Sequence, residues 1–116
     1  MTSPSPLDAA AIDGLRALSS DSAFLRELIE IFLQDTPARL KELDAALAAS
    51  DAATVTRAAH SIKGSAGNFG AVRLSQLAHQ IELLGKAANL PAVDVTELKS
   101  EYARVAEALT RIAQEG

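Results

Sequence analysis

The chain has 116 residues, 48% of them hydrophobic but only 3% aromatic, no Cys and a formal net charge of −4. That length holds one ordinary domain and leaves no room for a nucleotide-binding kinase module beside it. Disulfide scaffolds, thiolate metal sites and cysteine nucleophiles are excluded, and the acidic balance argues against a nucleic-acid partner, which needs a basic face.

Residues 1–6, rich in Ser and Pro, read as a flexible arm, and residues 7–116 as a single domain. Neither a leader peptide nor an apolar run of the ~18–20 residues needed to span a membrane is evident, so a cytoplasmic protein with no membrane partner is expected. Residues 7–18 predict a short helix carrying Leu7, Ile12, Leu15 and Leu18. Ser20 or Asp21 then caps a long segment with Phe24, Leu25, Leu28, Ile29, Phe32, Leu40, Leu43 and Leu47 at helical spacing. Pro37 predicts a kink or short break there, because it removes the bond to the Leu33 carbonyl. Ser50-Asp51 starts a third helix that Gly70 closes, and a fourth covers residues 71–88 before Asn89-Leu90-Pro91. The last begins near Asp94 and carries Leu98, Tyr102, Val105, Leu109 and Ile112. Ala and Leu dominate and strand formers are sparse, so the chain reads as all-α. It should form an antiparallel up-down four-helix bundle with a short additional N-terminal helix.

One segment carries chemistry: Ala59-His60-Ser61-Ile62-Lys63-Gly64-Ser65-Ala66-Gly67-Asn68-Phe69-Gly70. At about 100° per residue, Val55, Ala58, Ile62, Ala66 and Phe69 form a core stripe. His60, Lys63, Gly64 and Gly67 lie on the opposite side, with Thr56 and Arg57 beside them. His60 therefore points away from the core. Gly64 and Gly67 each cost roughly 1 kcal/mol against Ala inside a helix. On an exposed face, a bare Gly64 leaves room for something large to approach the imidazole, whereas Gly67 fits helix termination near Gly70 equally well. Lys63, one turn from the ring, would stabilise an anion placed on it. An exposed imidazole is largely neutral and nucleophilic near neutral pH, so the group suits a phosphoryl carried on nitrogen. On the fourth helix, Leu74, Leu77, Ala78, Ile81 and Leu84 mark the core, and Glu82 flanks them within reach of a neighbouring helix. Glu82 and Lys86 also have the spacing of an i,i+4 surface pair. His79 lies opposite that core and reads as a solvated surface histidine. No zinc spacing, Gly-rich phosphate loop or nucleotide-binding signature appears, which leaves no cofactor, no metal and no enzyme active site to propose.

The run from His60 to Ala66, followed by Phe69-Gly70-Ala71 and preceded by Arg57-Ala58-Ala59, closely resembles the signature of histidine-containing phosphotransfer (HPt) domains. The resemblance implies that His60 accepts a phosphoryl group through Nε2, that Lys63 aids the phosphate and that Gly64 admits the partner. It also places Glu82 and Lys86 near the histidine, with Glu82 bonding the other ring nitrogen and fixing its tautomer. The implied activity is a phosphocarrier between aspartates of receiver domains, supplied by a hybrid sensor histidine kinase. Any metal ion would sit on the receiver, and the carrier itself would be a monomer. Arg57, Lys63 and Lys86, with the bare Gly67, would face an acidic receiver pocket. Two rivals remain: the phosphoacceptor domain of a chemotaxis-type kinase, and a noncatalytic helical adaptor. A start methionine and a terminal glycine suit a free-standing module.

Overall fold

The computed structural model describes residues 5–115, so residues 1–4 of the expected arm and residue 116 lie outside the described residues. Among those described, helices α1 (Ala9–Ala17), α2 (Ser22–Ala48), α3 (Ala52–Asn68), α4 (Val72–Lys86) and α5 (Thr96–Glu115) are joined by short connections. A single 3₁₀ turn, Leu90–Ala92, precedes α5. The fold is all-α. Helices α2 to α5 pack as sequential neighbours, α3 and α4 most intimately, and α1 lies against α2.

Local chemistry sets each start. Asp8, Asp21 and Asp51 cap α1, α2 and α3, their carboxylates accepting from the amides of Ala10, Ala23 and Thr54. The Asp8 cap explains why α1 is shorter than residues 7–18, with Leu7 before the helix and Leu18 exposed beyond it. The fourth helix likewise stops at Lys86 rather than residue 88, because Ala88 adopts a positive φ of 55°. Asp94 accepts from Thr96 N at 2.9 Å, so α5 begins at Thr96.

Of the kink or short break expected at Pro37, the break does not occur: α2 runs unbroken through it for 27 residues. A proline inside a helix costs about 3 kcal/mol. Here Phe32, Thr36, Leu40 and Leu43 are buried on either side of it, and packing of that stripe offsets the lost bond. The core closes with Ile29 and Leu43 from α2, Val55 and Ile62 from α3, Leu74 from α4, and Leu98 and Leu109 from α5. Each contributes roughly 1.5–3 kcal/mol of burial. Phe32 stacks edge-on against Phe69 at 5.3 Å and lies 5.8 Å from Tyr102, which ties α2, α5 and the end of α3 together.

The α3–α4 turn depends on Gly70. Its φ is +66°, and a Cβ there would meet Asp8 Cβ at 2.6 Å and Ala11 Cβ at 2.8 Å. Its carbonyl accepts from Asp8 N at 2.9 Å, so the start of α1 seals the turn. No helix among the described residues is long and apolar enough to cross a membrane.

Candidate functional site

His60 stands in the middle of α3 with 66% of its side chain exposed, while its neighbour Ala59 and Ile62 half a turn on are buried. Its face is solvent, as the helical projection requires. Glu82 projects from α4 toward it and is 3% exposed, with His60 Nδ1 only 2.6 Å from Glu82 Oε2. Two contacts hold the helices close enough for this reach. Gly85 lies against Thr56, so near that a Cβ would meet Thr56 Oγ1 at 2.5 Å and Thr56 N at 3.1 Å. Ser75 Oγ donates to the Lys63 carbonyl at 3.1 Å. Gly85 is thus a contributor that helical spacing alone does not reveal.

Glu82 gathers four donors. Lys63 Nζ donates to Oε1 at 2.7 Å and His60 Nδ1 to Oε2 at 2.6 Å. His79 Nδ1 lies 3.4 Å from Oε1, and Lys86 Nζ 3.7 Å from Oε2. The Lys63 ammonium holds the Glu82 carboxyl at about 2, down from an ordinary 4.5; burial pushes the other way, and the two imidazoles reinforce the lysine. At neutral pH Glu82 is therefore an acceptor only. His60 Nδ1 therefore carries a hydrogen, and in the neutral ring the free lone pair lies on the exposed Nε2.

The structure brings His60, Lys63, Glu82 and Lys86 into one cluster. Lys63 is half-buried rather than a free surface cation, because its ammonium is turned onto Glu82. Gly64 and Gly67 leave the same face bare, and a Cβ added at either would meet nothing within 4 Å. Arg57 is exposed one turn before His60, and its guanidinium bonds back to Thr54 Oγ1 at 3.0 Å instead of joining the cluster. His79 is half exposed, yet it shares the Glu82 carboxylate and is no simple solvated histidine. Its i,i+3 spacing to Glu82 was the available signal. Among the described residues no group of three His, Cys, Asp or Glu side chains could hold a metal ion.

A helical bundle displaying an exposed imidazole bonded to a buried carboxylate suits a histidine phosphocarrier. The chain belongs to the Hpt domain family, whose model matches residues 27–115. It is similar to the crystal structure of histidine-containing phosphotransfer protein B (HptB) from Pseudomonas aeruginosa PAO1, with a TM-score of 0.87, 29% identity and 99% of each chain covered. No curated protein sequence matches it. Its role is that of a phosphorelay phosphocarrier.

Proposed function

We propose that His60 is the phosphoacceptor and that it shuttles a phosphoryl group between receiver-domain aspartates. The observation that carries this reading is the 2.6 Å bond from His60 Nδ1 to buried Glu82, which commits Nε2 to nucleophilic attack. The Nε2 lone pair forms a bond to phosphorus as the bond from phosphorus to the aspartyl oxygen breaks. The electron pair of that bond leaves on the aspartate carboxylate. The imidazole keeps its Nδ1 hydrogen and gains positive charge, which the Glu82 carboxylate meets directly. Return transfer to a second aspartate reverses every step.

Lys63 supplies a cation to the phosphoryl oxygens, and Gly64 and Gly67 give the receiver clearance beside the ring. Arg57 and Lys86 add positive charge to the docking face of an otherwise acidic chain. The divalent metal and the acidic residues of the reaction belong to the receiver, since charge neutralisation dominates phosphoryl transfer. This chain acts without a nucleotide site or a cofactor of its own, as a monomer in the cytoplasm, fed by a hybrid sensor histidine kinase.

Incubation with a phosphorylated receiver tests the reading. Acid-labile, base-stable label should appear on the chain and map to His60. His60→Gln should lose that label and keep its helical spectrum, because the ring faces solvent. A chain that takes no such label is a noncatalytic adaptor, and label retained by the variant assigns the acceptor elsewhere.

A further inference from the structure

The two oxygens of Glu82 are each doubly attended, one donor close and one farther off. On Oε2 the close donor is the His60 ring itself, with Lys86 Nζ at 3.7 Å. On Oε1 the close donor is Lys63 Nζ at 2.7 Å, with His79 Nδ1 at 3.4 Å. Lys63 therefore has two claims on it once the reaction starts. It sits one turn from His60 on the same face, so a phosphoryl group on Nε2 draws its ammonium outward. Yet Oε1 belongs to a carboxylate that is 3% exposed, and a charged buried oxygen stripped of its short donor is destabilised.

We infer that His79 is a positioning residue, a reserve donor that closes on Glu82 Oε1 as Lys63 turns to the incoming phosphoryl group. This rests on the reading of His60 as phosphoacceptor. The side chain is suited to the task. His79 is half exposed, and it stands one helical turn from Glu82 on α4. Closing from 3.4 Å to about 2.8 Å needs only a small rotation of the ring. Neutral or protonated, an imidazole with hydrogen on Nδ1 donates to the carboxylate. Lys86 cannot substitute, because it stands on the other oxygen. With Oε1 satisfied by His79, Glu82 keeps its charge and its grip on His60 Nδ1 while the lysine serves the phosphate. The bonds made and broken remain those of the transfer itself: nitrogen to phosphorus forms, and phosphorus to the donor's leaving atom breaks.

Single-turnover labelling of His60 by phosphoramidate and by a phosphorylated receiver tests this, using His79→Leu, His79→Gln, Lys63→Ala and the double variant H79L/K63A. Phosphoramidate needs no docking surface, so it separates positioning from partner contact. His79→Leu should slow labelling about three- to tenfold with both donors, while His79→Gln, which keeps a donor, stays within about twofold of the unaltered chain. On the K63A background the leucine should slow labelling further, and by more than it does in the unaltered chain, because Oε1 is then left with neither donor. Thermal unfolding should be unchanged in both His79 variants, and His79→Ala, which likewise has no donor, gives the same reading should the leucine variant fail to fold. An unaltered rate in H79L, a slowing on the K63A background no greater than in the unaltered chain, or a loss confined to the receiver would each overturn the inference. Absence of His60 label in the unaltered chain from either donor would instead overturn the phosphoacceptor reading.

Discussion

Glu82→Gln is the sharpest perturbation of the site, because the substitution keeps the shape of the side chain and removes its charge. Lowering the Glu82 pKa from 4.5 to about 2 corresponds to about 3 kcal/mol favouring the charged form in the folded chain. The folded-state value is depressed, so this stabilisation is present above about pH 4.5 and disappears as the pH falls through about 2. Glutamine has no such titration. It still offers one carbonyl to either Lys63 or His60, and both can turn to water, so the loss at pH 7 should be about 1–3 kcal/mol. For a domain of this size that lowers Tm by roughly 4–12 °C. Urea unfolding of both chains at pH 7, 5, 3.5 and 2.5 reads the effect directly. The gap between the two curves should be widest at pH 7 and close toward pH 2.5. Asp51, held low by its bonds to Thr54, and Asp94, held low by Thr96, titrate in both chains and cancel from the difference. A gap that stays constant from pH 7 to 2.5 would refute the claim that Glu82 is charged and held by Lys63 and His60.

Lys63→Ala should cost about 1–2 kcal/mol at neutral pH in urea unfolding, more than an exposed lysine would, because Glu82 Oε1 loses its 2.7 Å donor; an unchanged midpoint would place the ammonium in solvent. Gly64→Gln should raise stability by roughly 0.5–1 kcal/mol, since the space around it is open. The same variant should slow transfer from a receiver at least about tenfold while phosphoramidate labelling stays normal; undiminished receiver transfer would remove the clearance role. Gly85→Ala should destabilise the bundle by about 1–3 kcal/mol despite the better helix former, because the added carbon meets Thr56 backbone at 3.1–3.2 Å. A gain in thermal stability would show that α3 and α4 can separate there without cost.

Much of this arrangement is legible in the residues themselves. Helical period places Val55, Ala58, Ile62, Ala66 and Phe69 inside, and all five are buried, which forces His60 outward. Short polar residues before apolar runs mark the caps at Asp21 and Asp51. The break read at Pro37 misleads because propensity is local, whereas the stripe that holds α2 together is tertiary. The convergence of Lys63 and His79 on one oxygen is not legible for a related reason. It depends on the spacing between α3 and α4, and that spacing is set by Gly85 against Thr56, two residues with no chemical signature. Glu101 is hidden similarly: one more acid on a solvent-rich helix by sequence, it is buried at 3% exposure beside Arg104.

If Glu82 fixes the His60 tautomer, Nε2 alone attacks phosphorus. Nitrogen-15 and phosphorus-31 spectra of the ring-labelled chain, recorded after phosphoramidate treatment, test it most directly. One-bond coupling of phosphorus to Nε2 of His60 is expected, with the Nδ1 hydrogen retained and slow to exchange. Phosphorus coupled to Nδ1 of His60, or to either nitrogen of His79, would contradict it.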